Sequence, residues 1–213
     1  MPTPTREIGA DTPRPALSLA VGIPDPPRTE RLTLRPLLES DRHAFLDVVN
    51  KNGPYLSRWL PMHEPGEHDD AYFERQLRFS TIGAERGSAW RSVAVLHDGT
   101  IAGCFNLNSI SRGLAWEADA VWWIAESLSG RGLASEGLSA MLAHAMNPLP
   151  SGLGLHSVHC GVEPGNDASK RVAEKCGFRR APAQQSYLKV GERWVMHDFY
   201  RASPDSIALC HTR

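Results

Sequence analysis

Polar and apolar residues alternate along 31–35, Arg-Leu-Thr-Leu-Arg, which is the period of a half-buried strand. Pro36 follows, and then Ser40 and Asp41 offer a helix start. Ala44, Phe45, Val48 and Val49 recur at helical spacing and predict a helix over about 41–51. Residues 52–68 hold Gly53, Pro54, Pro61, Pro65 and Gly66 and read as a long loop, the kind that often forms a binding wall. Asp69 or Asp70 caps the next expected helix, which carries Phe73, Leu77 and Phe79 and ends near Gly87. Residues 90–96 and 101–107 read as strands joined by His97-Asp98-Gly99-Thr100, because Asp-Gly tolerates the positive φ of a hairpin turn. A third strand, rich in Val and Trp, spans 117–125. A helix at 133–146 ends before Pro148, a strand covers 155–162, and a helix at 167–176 stops at Gly177. Residues 178–201 read as two strands around Gly191. Strands and helices interleave without an internal repeat, so the expected fold class is a mixed α/β single domain.

Ahead of this pattern, residues 1–28 hold seven of the sixteen prolines. Proline fixes φ and lacks the amide proton, so the stretch reads as an extended arm. Its patch at 16–21, Ala-Leu-Ser-Leu-Ala-Val, is a candidate for docking on the domain. The expected organisation is an arm over 1–28, one domain over 29–202 and a tail over 203–213.

Composition narrows the function. Lys and Arg total 23 and Asp and Glu 24, a net charge of −1 with no basic stripe, which argues against a nucleic-acid partner. No apolar run approaches the 18 or so residues of a membrane span. Cys104, Cys160, Cys176 and Cys210 are too far apart in sequence for a thiolate pair at metal-ligand spacing, and the nine histidines are scattered, so no metal is expected. Glu7 and Asp11 interrupt the N-terminus and no apolar segment of a secretory signal follows, so reduced thiols in the cytoplasm are the expectation.

The strongest chemical signal is Ser129-Gly130-Arg131-Gly132-Leu133-Ala134, set between an expected strand and helix. Glycines let the backbone turn tightly and approach a ligand. The free amides that open the following helix favour an anion such as a diphosphate, and Arg131 is a candidate for a charge-assisted contact. No Gly-Lys-[Ser/Thr] follows, which excludes a P-loop, and the later glycine of the dinucleotide fingerprint is missing. Asn166-Asp167-Ala168-Ser169 opens the next helix. Asn and Ser there are usual caps, yet both segments fall at the C-terminal ends of strands, where open α/β sheets bind ligands.

Together these residues resemble the GNAT superfamily of acetyl-CoA-dependent N-acetyltransferases, and most closely its RimJ/RimL-like branch. The resemblance covers nearly all of 29–201. Residues 31–36 with Asp41 resemble the branch's opening strand, and 118–124, Ala-Asp-Ala-Val-Trp-Trp-Ile, its central strand. Residues 130–134 resemble the pyrophosphate loop, 166–178 the Asn-x-x-Ser…Gly-Phe segment, and 191–198 the closing hairpin. The resemblance implies a central mixed sheet that splays between two parallel strands, here 117–125 and 155–162, with helices on both faces. It implies that acetyl-CoA binds in that gap. The pantetheine arm would hydrogen-bond near Trp122, Trp123 and Ile124, the diphosphate would rest on amides of Gly130, Arg131, Gly132, Leu133, Ala134 and Ser135, and Asn166 and Ser169 would touch the cofactor. The chain departs from the family where Ser129 stands for Gln or Arg, where Ala173 stands for a Tyr acid, and where Gly161 stands for a Glu base.

For the proton work, Asp119 aligns with the branch's Glu and is the first candidate base, with Glu117 two residues away on the same strand face. A structural carboxylate is the bland reading of either. Ser169 is the candidate donor to the leaving sulfur. Tyr55, Trp59 and Asp119 are candidates for the acceptor site, the aromatic pair serving equally well as a cover for the core. His197, in the closing hairpin, is a weaker candidate for a substrate contact. The resemblance implies transfer of acetyl to a primary amine by direct attack in a ternary complex. The acceptor would be the α-amine of a protein or peptide N-terminus. A small-molecule amine, or an inactive acetyl-CoA-binding module, stays open. The chain is expected to act as a monomer or homodimer.

Overall fold

A computed structural model describes residues 25–211 of the 213. The proposed docking patch at 16–21 lies outside the described residues. The chain runs β1 (Leu32–Arg35), α1 (Arg42–Leu56), α2 (Asp69–Glu85), β2 (Trp90–Leu96), β3 (Ile101–Ser111), β4 (Glu117–Ile124), α3 (Leu133–Met146), β5 (Ser157–Val162), α4 (Asp167–Lys175), β6 (Arg179–Val190), β7 (Arg193–Ala202) and α5 (Pro204–His211). The sheet order is β1-β2-β3-β4-β5-β7-β6. All neighbours are antiparallel except β4 and β5, which are parallel and joined through α3. This is the mixed α/β architecture the sequence predicted.

The sheet divides the core into two layers. On one face, α3, through Leu138, Met141 and Leu142, and α4 cover Phe105, Leu107, Ala120 and Phe178. On the other, α1 and α2 cover Val93, Cys104 and Trp123 with Phe45, Val49, Leu56 and Phe73. Alternation sets the division: Val93, Cys104 and Trp123 are in cross-strand register and point one way, while their chain neighbours Ala94, Phe105, Trp122 and Ile124 point the other. Gly137 lets α3 approach, since a Cβ there would lie 2.3 Å from the Phe105 ring.

Four features differ from the sequence reading. Helix α1 continues through Gly53 and Pro54 to Leu56 instead of giving way to a loop at 52. A proline ring clashes with the Cβ of the residue before it, and Gly53 has none. Asp41 stands at the N-cap position of α1, but its side chain makes no capping hydrogen bond there. Its carboxylate instead grips Arg35 through both oxygens, at 2.6 and 2.8 Å, and accepts the Leu38 amide at 2.8 Å. Residues 204–211 of the expected tail form α5. The cap of α2 falls on His68, with Asp69 and Asp70 in the first turn.

Candidate active site

Between β4 and β5 the ladder stops short. Glu117, Ala118 and Asp119 pair with Ser157, Val158 and His159, and no pairing is made beyond. Strand β4 runs on to Ile124 against β3, and β5 runs on to Val162 against β7. The two strands therefore diverge from Asp119 onward and leave facing backbone edges without strand partners. Buried amides and carbonyls without partners are costly, so such an edge is built to receive a ligand with donors and acceptors of its own. The gap opens into a cleft of about 1150 Å³. That volume suits an organic ligand rather than an ion.

At the mouth of the gap, a left-handed turn leads into α3. Gly130 (φ 76°) and Gly132 (φ 80°) both hold the conformation that side chains disfavour. Gly132 is the N-cap of α3, and no side chain caps the helix. The first-turn amides of Leu133, Ala134 and Ser135 thus keep their hydrogen-bonding capacity and the positive end of the helix dipole, and these residues line the cleft. A Cβ built on Gly130 would meet nothing within 4 Å, so the backbone lies open to an approaching anion. Helix α4 is different: Asn166 Oδ1 accepts the Ser169 amide at 3.1 Å and closes its start.

The turn is fastened from behind. Arg31 donates from Nη1 to the Arg131 carbonyl at 2.9 Å and from Nε to Glu136 at 2.7 Å. Glu136 also accepts the Arg31 amide at 2.9 Å and the Thr29 hydroxyl. Burial alone would raise the Glu136 carboxyl, but the hydrogen bonds from Thr29 and Arg31 outweigh it and hold the group below its ordinary range.

Of the expected site residues, Tyr55, Trp59, Asp119, Trp122, Trp123, Ile124, Gly130, Gly132, Leu133, Ala134, Ser135, Asn166 and Ser169 all line the cleft. Asp119 stands exposed at the fork of the two strands. The Trp123 and Ile124 side chains are buried, and Trp122 packs against Phe178 at 6.3 Å, so at these three positions the backbone is what remains for a ligand. Two expected residues stand apart from the lining. Glu117 lies on the paired part of β4, 3.9 Å from His159 Nε2. Arg131 is exposed and contributes its carbonyl to the Arg31 clamp.

The cleft has a second wall that the sequence reading only touched. Tyr55 of α1, Arg58 and Trp59 of the turn that follows it, and Arg75, Gln76 and Phe79 of α2 form this wall, and the sheet floor adds Arg91, Asn106 and Asn108. His197 also faces in, its Nδ1–H donating to the Val195 carbonyl at 2.9 Å. Nothing in the one-dimensional pattern marks Arg91 or Asn108, because polar residues on a strand read as solvent-facing. Only the register that sets β2, β3 and β4 side by side brings them to Asp119. Cys104 lies beneath this floor, its thiol pushed up to about 12 by burial. Among the described residues, no group of three or more His, Cys, Asp or Glu is arranged to hold a metal, and no helix is long and apolar enough to cross a membrane.

Residues 31–179 match the family model described as an acetyltransferase (GNAT) domain. YdaF of Bacillus subtilis (strain 168) is 25% identical over 155 residues, 70% of this chain and 78% of YdaF. The [ribosomal protein uS5]-alanine N-acetyltransferase of Escherichia coli (strain K12) is 21% identical over 170 residues, 79% of this chain and 86% of that protein. Among solved structures, Mycobacterium smegmatis RimJ in complex with CoA-disulfide superposes with a TM-score of 0.73 at 24% identity, covering 83% of each chain. The family match takes in both splayed strands, the left-handed turn and the start of α4, the parts from which the cleft is built. The chain belongs to the GNAT family of acetyl-CoA-dependent N-acetyltransferases.

Proposed function

We propose that the protein transfers acetyl from acetyl-CoA to the α-amine of a protein or peptide N-terminus, by direct attack in a ternary complex. The observation that carries the reading is the cleft's two-sided form. Open backbone edges and an uncapped helix start lie on one side, and an aromatic and polar wall from α1 and α2 lies on the other. The names of relatives that act on ribosomal proteins point the same way.

In this reading the amides of Leu133, Ala134 and Ser135, with the Gly130–Gly132 backbone, hold the diphosphate. The open edge of β4 at Trp122, Trp123 and Ile124 hydrogen-bonds the pantetheine arm. With Asn166 Oδ1 engaged as a helix cap, the amide nitrogen is the end of that side chain left for the cofactor. Acetyl-CoA supplies the acyl group, and the protein's share of the rate is mainly position. A free α-amine has a pKa of about 7.7–8.0, so a carboxylate reached through water suffices to take its proton near neutral pH. Asp119, at the fork, is that carboxylate. Ser169, in the first turn of α4, donates its hydroxyl to the departing sulfur. Glu117 takes no part. The reading implies a cytoplasmic enzyme that meets newly made proteins.

The test is a panel of N-terminal peptides and small amines incubated with acetyl-CoA, with thiol release followed in solution and products identified by mass spectrometry. Acetylation at the peptide α-amine supports the reading. Transfer to small amines alone favours a metabolite acetyltransferase. Tight coenzyme A binding without thiol release on any amine means an inactive binding module.

A further inference from the structure

The acceptor wall carries a charge that its fold does not neutralise. Arg91 points from β2 onto the cleft side of the sheet and is half-buried there. Its Nη2 donates to Gln76 Oε1 at 2.7 Å and its Nη1 to Asn108 Oδ1 at 3.1 Å. Both acceptors are neutral amides. The Phe79 ring lies 5.7 Å from the guanidinium carbon. Among the described residues no carboxylate comes within ion-pair distance of Arg91. Two arginines near it are treated otherwise: Arg75 is gripped by Glu67 through Nε and Nη2, both at 2.6 Å, and Arg35 by Asp41. Burial lowers the Arg91 pKa, and Arg75 adds repulsion. The ionisable groups that would offset this are the Cys104 thiol and the Tyr72 phenol, and burial pushes both up and keeps them neutral near pH 7.

A guanidinium has five N–H donors in a planar fork that matches a carboxylate. Two of the five are spent on amide oxygens. A half-desolvated cation with donors to spare and no counter-charge is a recognition element for an anion that arrives with the ligand. The sheet register gives the separation from the reacting centre. Arg91 is paired with Asn106, and Asn108, two residues along β3 on the same face, is paired with Asp119. One strand spacing, about 4.8 Å, separates the Asn108 and Asp119 backbones. Successive peptide residues are about 3.8 Å apart. An amine held at Asp119 therefore leaves an acidic side chain of the first or second acceptor residue within reach of the guanidinium.

We propose that Arg91, presented by Gln76 and Asn108, is a carboxylate-binding subsite that selects acceptors bearing an acidic group beside the reacting amine. The proposal rests on the acyl-acceptor reading above and deepens it by naming the acceptor's chemistry. The carboxylate comes from an Asp or Glu side chain in a peptide or from the α-carboxylate of a single amino acid, and the two arms of the test tell them apart.

The experiment compares Ser-Asp and Ser-Asn peptides, identical elsewhere and C-terminally amidated, and adds free serine and serinamide as the small-molecule arm. Kinetics with acetyl-CoA are read beside calorimetric titration of the same peptides into the coenzyme A-loaded protein. Wild type is expected to favour Ser-Asp over Ser-Asn by about 10- to 100-fold in KM and in Kd, the range of a charge-assisted contact to a buried partner. In Arg91→Met that ratio falls towards one, and in Arg91→Lys it lies between. Preference for serine over serinamide with none between the peptides assigns the site to a free amino acid. Equal treatment within both pairs by wild type overturns the proposal. So does an Arg91→Met variant that weakens both peptides alike and keeps the ratio, since that marks a structural arginine. If no amine is acetylated, the acceptor reading fails, while the binding ratio still decides the subsite. Should Arg91→Met lose its cooperative melting transition, Arg91→Gln and Arg91→Lys carry the comparison.

Discussion

Replacing Gly132 perturbs the turn that sets the amides of α3 in place. Its φ and ψ are 80° and −4°, left-handed, and a built Cβ would meet only Arg31 Nη2, at 3.6 Å. Space is therefore not the obstacle, and the cost is conformational. A residue with a Cβ held in that region loses about 1–2 kcal/mol, and a β-branched one more. If the turn relaxes to escape the strain, the Leu133, Ala134 and Ser135 amides lose their aim. If that cost of about 1–2 kcal/mol is collected on ligand binding, it weakens affinity roughly 5- to 30-fold. Gly132→Ala is thus expected to raise the coenzyme A Kd by that range, and Gly132→Val to leave no measurable binding. The assay is isothermal titration calorimetry, with thermal melts of each variant. Gly99 is the control: φ is 89°, nothing lies within 4 Å of its Cβ position, and it sits in the β2–β3 turn outside the cleft lining. Gly99→Ala should lower Tm by a similar amount and leave Kd alone. A Gly132→Val protein that folds and binds coenzyme A within twofold of wild type refutes the reasoning.

Further outcomes follow from other contacts. Glu136→Ala releases Arg31 and Thr29 and unfastens the turn, so it should cost about 1 kcal/mol of stability, read by urea titration, and raise the coenzyme A Kd several-fold. Asp119→Ala should slow acetyl transfer by about 100-fold and shift the pH–rate profile, and an unchanged profile rejects its role as base. Hydrogen bonds from Arg75 hold the Glu67 carboxyl down at about 2, below its ordinary 4.5. A depressed carboxyl stabilises the fold above its unfolded pKa, so this contribution is full above about pH 4.5 and fades as pH falls toward 2. Glu67→Gln should accordingly lower the urea midpoint at pH 7 and leave it nearly unchanged near pH 2. Gly137→Ala drives a methyl into Phe105 and should cost about 1–3 kcal/mol by overpacking, read as a drop in Tm.

Much of the scaffold was legible because local rules and tertiary demands agree. Arg31–Arg35 alternates, Asp98-Gly99 turns, and Leu133–Met146 begins after Gly132 and ends before Pro148, so each boundary carries its own chemistry. The reach of α1 past residue 52 was hidden because Pro54 reads as a breaker until Gly53 is seen to relieve its clash. Asp41 offered itself as a cap, and its bidentate grip on Arg35 depends on how β1 and α1 meet. The divergence of β4 and β5 leaves no mark of its own in the residues, since an unpaired edge is a property of backbone; resemblance alone anticipated it. Arg91 escaped notice because its meaning lies in the carboxylate that is not beside it.

The central claim is that the diverging edges of β4 and β5 and the uncapped start of α3 hold acetyl-CoA by its main-chain partners. Amide-resolved NMR of the protein titrated with coenzyme A tests it most directly. The account predicts shifts and slowed hydrogen exchange concentrated at 122–124 and 132–135, with β1 and α5, which lie outside the cleft lining, little changed. Saturable binding that leaves those amides unperturbed, or no binding at all, contradicts it.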